Sequence, residues 1–119
     1  ARNDLQQLRR IIGTLEKIPG ISLAQSSTDN VEIMPPHVNK GRGMSDLAEH
    51  LGIPLANTMA IGDQDNDLPM IRIAGLGVAM GNATGEVKSY AHLITETNTR
   101  DGVARAILRY ALGVSDGQP

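Results

Sequence analysis

The stretch Thr58-Met59-Ala60-Ile61-Gly62-Asp63-Gln64-Asp65-Asn66-Asp67 joins an uncharged run to the densest cluster of polar side chains in the chain. Thr58 to Ile61 has the continuous apolar character of a strand buried on both faces of a parallel sheet. Ligands of such sheets sit beyond the carboxyl ends of the strands, so this strand delivers the acidic turn to a functional rim. Asp63, Asp65 and Asp67, with Asn66 among them, concentrate hard oxygen donors. That chemistry suits Mg2+, which takes one or two carboxylates and completes its shell with water and a substrate phosphate. The same residues equally suit a solvated turn with a helix cap, where Asp and Asn are favoured for local reasons. A calcium loop counted from Asp63 fails, because Leu68 stands where Gly is needed and Ala74 where a bidentate Glu is needed.

Downstream of this turn, strand and helix patterns alternate. Leu68 to Ala74 reads as a short helix with Pro69 in its first turn and Gly75 as terminator. Leu76 to Met80 is a second buried strand, Gly85 to Ala91 a helix and His92 to Thr95 a third strand. Asp101 to Leu112 closes as a helix capped by Asp101 or Thr99, with Gly113 past its end. Upstream, Met44, Leu47, Ala48 and Leu51 share one face of a helix expected over 41–51, and Gly52 ends it. Pro35-Pro36 is the strongest candidate boundary. Before it, Ile21–Ala24 and Val31–Met34 are short β-type runs flanking a polar stretch, and Leu5, Leu8, Ile12 and Leu15 mark an amphipathic helix over 3–17. The fold class is α/β, with a parallel sheet and alternating helices. Ser115–Pro119 is expected to be a frayed tail.

Composition narrows the function. The 119 residues suffice for one domain with a modest core, and that core must be aliphatic because Tyr90 and Tyr110 are the only aromatics. A net charge of -2, with no basic run and no stacking platform, argues against nucleic acid. An anionic membrane surface is disfavoured for the same reason, and no apolar stretch approaches the ~20 residues of a membrane span. Cysteine is absent, which removes disulfides and thiolate metal sites and fits a cytoplasmic protein. No signal peptide is visible, and the missing initiator Met suggests a fragment, a processed chain or an excised one.

Lys40, between Asn39 and Gly41-Arg42-Gly43, precedes a helix start where an ammonium and backbone N–H groups could converge on a phosphate. An ordinary solvated lysine is the competing reading. A cation is mildly unfavourable at a helix N-terminus, so an anion such as Asp67 or a bound phosphate would have to offset it. His37, His50 and His92 lack metal-ligand spacing and read as structural or surface groups. The five methionines, Met34, Met44, Met59, Met70 and Met80, read as core fillers. Asn82 after Gly81 reads as turn chemistry, although a place beyond a strand puts it near the acidic turn. Ser45 and Thr58 have no visible base partner, so nothing indicates a hydrolase triad.

Taken in order, Val31-Glu32-Ile33, Asn39-Lys40-Gly41, Gly62-Asp63-Gln64-Asp65-Asn66-Asp67, Met70, Gly77-Val78-Ala79-Met80-Gly81-Asn82-Ala83, Val87-Lys88 and Asp101-Gly102-Val103 resemble the Cof-type phosphatases. These are the class with a large inserted cap within the haloacid dehalogenase superfamily. The resemblance covers about residues 30–112 and implies a Mg2+-dependent phosphomonoester hydrolase working through an aspartyl-phosphate. It implies that Asp63 ligates Mg2+, that Asn66 contacts the phosphate and that Lys40 stabilises phosphate oxygens. Asp67 would complete the catalytic and metal site by holding Lys40 or a water on the metal. The substrate would be a small phosphorylated metabolite that the sequence does not name.

Members of that family begin with an Asp-x-Asp loop supplying the nucleophile, and this chain has none: Asp4 stands alone in a polar helix. Residues 1–34 therefore resemble the end of a cap domain with its linker, 35–113 the carboxy-terminal half of a Rossmann-like core, and 114–119 a tail. The neighbouring nucleophile strand being absent, Thr58 to Ile61 is expected to be covered by residues 1–34 or to pair with another chain by self-association. Two alternatives remain. One is the phosphorylation domain of a P-type ion pump, where Gln64 stands in place of the usual Gly; the other is a non-catalytic module that binds Mg2+ or phosphate esters.

Overall fold

A computed structural model describes residues 2–115; the tail expected at the carboxy terminus lies outside them from residue 116 onward. Helix α1 (Arg2–Leu15) is amphipathic, with Leu8, Ile12 and Leu15 half-buried and Arg9, Arg10 and Ile11 exposed, although Leu5, expected on the apolar face, is exposed as well. Strands β1 (Ser22–Ala24) and β2 (Glu32–Met34) then form an antiparallel hairpin in which Ser22 faces Met34 and Ala24 faces Glu32. The polar connection folds on Asn30, whose Oδ1 accepts from the N–H groups of Ser26 and Ser27, each at 3.1 Å. The Gln25 amide closes it by donating to the Asn30 carbonyl at 3.0 Å.

Helix α2 (Lys40–Leu51) has well-defined ends. Asn39, in extended backbone, accepts the Arg42 N–H on its side-chain oxygen at 2.8 Å, and Gly52 closes the helix at φ 69°. Three parallel strands follow in sequence order, β3 (Met59–Gly62), β4 (Leu76–Ala79) and β5 (Leu93–Ile94), joined through α3 (Leu68–Ile73) and α4 (Gly85–Tyr90). The register sets Gly62 beside Ala79 and Ala79 beside Ile94, so the carboxyl ends of all three strands lie on one rim.

The core lies where α3 and α4 pack against this sheet, with α2 packed on α3. Ile71, Val78 and Val87 are fully buried, and Ala60, Ala74 and Ala79 fill the space between them. Met44 and Met70 pack against that cluster and Met80 is itself buried, in keeping with soft side chains filling a core without Phe or Trp. Small residues permit the close spacing. A Cβ on Gly41 would fall 2.6 Å from the Pro69 carbonyl oxygen, so α2 and α3 meet almost backbone to backbone.

Four details differ from the sequence expectations. Strand β3 is shifted to Met59–Gly62 because Thr58 is spent on a short turn at Leu55–Asn57, donating its hydroxyl to the Leu55 carbonyl at 2.6 Å. The third strand shortens to Leu93–Ile94, while His92 N–H to the Gly77 carbonyl and Thr95 N–H to the Ala79 carbonyl extend its hydrogen bonding by a residue each way. The last helix is α5 (Gly102–Ala106), continued by a wider π-type turn at Ile107–Ala111. Neither expected cap forms: Asp101 sits at φ 57° with no side-chain bond to the helix, and the Thr99 hydroxyl pairs with that of Thr97. Among the described residues β3 hydrogen-bonds to β4 on one side only, and the hairpin forms a separate sheet.

Ile71→Ala is expected to lower the unfolding free energy by about 2–5 kcal/mol, the range for emptying a buried aliphatic site. Urea unfolding measures it, and a loss under about 1 kcal/mol would contradict the placement of Ile71 at the centre of this core.

Candidate functional site

Asp67 organises the site. It is the one buried charged residue among those described, 5% exposed, and both of its carboxylate oxygens are engaged. Oδ1 accepts from Lys40 Nζ at 2.6 Å, while Oδ2 accepts from the backbone N–H groups of Asp63 at 2.9 Å and Gln64 at 3.2 Å. The chain can turn this sharply because position 62 is glycine: a Cβ there would collide with the Asp67 side chain. Burial pushes the Asp67 carboxyl upward, but the Lys40 hydrogen bond, the two N–H donors and the Lys40 charge outweigh it and hold the group below the ordinary carboxylate value.

Lys40, 27 residues away in sequence, comes from the first turn of α2. Its side chain is half exposed, so the ammonium is anchored at one oxygen while another face stays open. Its carboxylate partner offsets the unfavourable placement of a cation at a helix start. Lys40 and the acidic turn therefore share the rim formed by the strand ends.

Asp63 follows directly from β3 and is half-buried. The end of β4 reaches it: the Asn82 amide donates to Asp63 Oδ2 at 3.4 Å, and the Thr84 N–H donates to the Asp63 carbonyl at 3.1 Å. Asp65 is exposed and accepts the Thr84 hydroxyl on Oδ1 at 3.2 Å. That Thr84 oxygen also caps α4 by accepting the Val87 N–H. Asn66 is bound through its backbone, N–H to the Gln25 carbonyl at 3.2 Å, which ties the acidic turn to the hairpin. Its side-chain amide has no partner among the described residues. His50 is exposed, and His92 accepts the Gly77 N–H on Nδ1 at 2.8 Å, so both are surface or structural groups.

The sequence pattern brings out Lys40, Asp63, Asn66 and Asp67, and the structure gathers them at one rim. Thr84 and the hydrogen bond from the Asn82 side-chain amide to Asp63 are additions of the structure. The only signal for them was position just past an apolar strand, which does not reveal a bond to a carboxylate 19 residues earlier. Among the described residues, no three His, Cys, Asp or Glu side chains gather as a ready-made metal cage. Asp63 nonetheless fits as a donor to a hard cation, since its carboxylate carries one long hydrogen bond and Mg2+ takes much of its shell from water and phosphate.

Comparison with known proteins finds relatives in sequence and in fold. The family model described as haloacid dehalogenase-like hydrolase matches residues 1–107. A 5-amino-6-(5-phospho-D-ribitylamino)uracil phosphatase of Bacillus subtilis (strain 168) is 43% identical over 102 residues, covering 86% of this chain and 41% of that protein. A solved haloacid dehalogenase-like hydrolase from B. subtilis superimposes with a TM-score of 0.81 at 37% identity, covering 88% of this chain and 36% of the other. A sugar phosphatase of subclass IIB in the same superfamily gives a TM-score of 0.81 at 30% identity, covering 87% and 40% of the two chains. The chain thus spans roughly two fifths of the length of these relatives, 41%, 36% and 40%.

A carboxyl held below its unfolded value stabilises the fold above the unfolded pKa and loses that contribution as pH falls through the folded one. Asp67→Asn is therefore expected to cost about 1–3 kcal/mol at neutral pH, with the difference from the unaltered chain shrinking below about pH 4. Urea unfolding across pH 3–7 checks both the size and the sign. A difference independent of pH would contradict the ionised, Lys40-paired state.

Proposed function

The chain belongs to the haloacid dehalogenase-like hydrolases, and on that premise we propose that it supplies the Mg2+ and phosphate-binding half of a phosphatase for small phosphomonoesters. The observation that carries this reading is the 2.6 Å contact between Lys40 and Asp67, because the same carboxylate fixes the backbone of Asp63 and so joins cation and metal ligand in one unit. Mg2+, when bound, would neutralise charge on the phosphoryl oxygens and orient the ester. Asp63 is its proposed ligand; Asp67, with both oxygens engaged, acts on the metal site through water or through Lys40. Lys40 places its free face on the phosphate oxygens, and Asn66, whose side-chain amide has no partner among the described residues, donates to them. These groups act by positioning and by offsetting equatorial charge, which is most of what phosphoryl transfer asks of a protein.

The reaction would pass through an aspartyl-phosphate on a residue outside these 119, since Asp4 lies in the first turn of α1 and no Asp-x-Asp follows a strand ahead of Lys40. In the same reading residues 1–34 are the end of a cap domain with its linker and 35–113 are half of the core. The unpaired flank of β3 is where a nucleophile-bearing strand, or a second chain, would dock. That two of the relatives reported above, the 5-amino-6-(5-phospho-D-ribitylamino)uracil phosphatase and the sugar phosphatase, are phosphatases favours this over an ion-pump domain, and no helix among the described residues is long and apolar enough to cross a membrane.

Two outcomes test the proposal. The 119-residue chain is expected to release no phosphate from p-nitrophenyl phosphate with Mg2+ present, and metal-dependent turnover by it would place the nucleophile elsewhere than we propose. In Mg2+ titrations followed by amide NMR, shifts centred on Asp63 are expected, with Asp63→Asn weakening affinity at least about tenfold. Unchanged affinity would remove Asp63 from the metal site.

A further inference from the structure

A cavity of about 550 Å³ opens beside the Lys40–Asp67 pair, between α1, the hairpin, the start of α2 and the acidic turn. This is within the range of small-molecule sites. Lys40 and Asn66 line one part of it, Ile12, Val31 and Met34 give it apolar wall, and Glu32 enters from the hairpin. The pleat of β2 accounts for that orientation: Glu32 and Met34 are half-buried on one face, while Ile33 between them is 56% exposed on the other.

Glu32 has no role in the phosphate chemistry proposed above. Its carboxylate makes no hydrogen bond or ion pair among the described residues, whereas its neighbours Gln25 and Asn30 are tied into the hairpin turn. A half-buried carboxylate facing a cavity without a partner contributes little to folding, since burial penalises a charge that nothing satisfies. It is, however, well placed to accept hydrogen bonds from a molecule in that cavity. Glu16 from the α1 side and Asp65 from the acidic turn line the same cavity and bring its carboxylates to three. The cavity thus holds an ammonium and an amide for an anion, and carboxylates for hydrogen-bond donors.

We propose that Glu32 is a specificity-determining residue: its carboxylate, projecting from β2 into the cavity that contains Lys40 and Asn66, accepts hydrogen bonds from the hydroxyl groups of the leaving alcohol. The site then favours phosphate esters of neutral, hydroxyl-rich alcohols and rejects those whose alcohol carries a carboxylate, which would face Glu32 and Glu16 at close range. The apolar wall suits the C–H faces of such an alcohol. This inference rests on the phosphate-site reading, and its test separates the two.

Amide and side-chain NMR titrations of the 119-residue chain would use inorganic phosphate, sorbitol 6-phosphate and 3-phosphoglycerate. Phosphate is expected to shift Lys40 and Asn66, and sorbitol 6-phosphate to shift Glu32 as well and bind about tenfold tighter than 3-phosphoglycerate. Glu32→Gln is expected to cut that preference at least about threefold, mainly by tightening 3-phosphoglycerate. Intermolecular contacts between the Glu32 side-chain protons and the carbinol protons of sorbitol 6-phosphate give the same answer in the unaltered chain if the substitution disturbs the hairpin. Equal affinity for the two esters, a preference unchanged in Glu32→Gln, or absence of those contacts overturns the inference and leaves the phosphate site standing. Failure of inorganic phosphate to shift Lys40 or Asn66 overturns the phosphate site and the inference with it.

Discussion

A single buried carboxylate holds the functional rim together. Asp67 cannot be ionised inside the fold unless its lost hydration is replaced, and the replacements come from two directions: the ammonium of Lys40 on α2 and the N–H groups of Asp63 and Gln64 after β3. Satisfying one charge therefore fixes the separation between a helix start and a strand end. The missing side chain at Gly62 makes room for it, and the close contact of Gly41 with Pro69 lets α2 lie near enough for Lys40 to reach.

From that constraint the remaining placements follow. With the backbone of Asp63 pinned through Asp67, the carboxylate that follows β3 projects at the strand end, where Asn82 and Thr84 reach it from beyond β4. Thr84 joins the turn to α4 by accepting the Val87 N–H while its hydroxyl meets Asp65, and Asn66 joins the turn to the hairpin through the Gln25 carbonyl. The acidic turn is thus held from three sides. The side-chain amide of Asn66, without a partner among the described residues, is consistent with a group kept for a ligand.

Much of this was legible in the sequence because it depends on local pattern. Gly52 after an amphipathic run marks a helix end whatever surrounds it, and it does end α2 at φ 69°. Thr58 to Ile61 reads as a strand from its apolar run, but it is not one buried on both faces: β3 lies at the edge of the sheet among the described residues, with Ala60 and Gly62 buried and Met59 and Ile61 half-buried. The pairing of Lys40 with Asp67 was expected, since a cation at a helix start needs an anion and Asp67 or a bound phosphate could supply it; the folded chain shows the Asp67 contact. What escaped were choices made by tertiary packing. Asp101 looks like a helix cap, yet the loop drives it into the left-handed region, and the Gly102 N–H bonds to the Thr97 carbonyl instead. The bonds of Asn82 and Thr84 to the acidic turn join segments 19 residues apart, and no periodicity carries that information.

The coupling between Lys40 and Asp67 can be measured without reference to any ligand. A double-mutant cycle with Lys40→Met, Asp67→Asn and both together, followed by urea unfolding at neutral pH, isolates their interaction from the separate contributions of each side chain. A coupling of about 1 kcal/mol or more is expected, moderated by the exposure of Lys40 and lost when the Asp67 carboxyl is protonated. Additive single and double substitutions would contradict the central place given to this pair, and with it the shared rim on which Asp63, Asn66 and the ammonium meet.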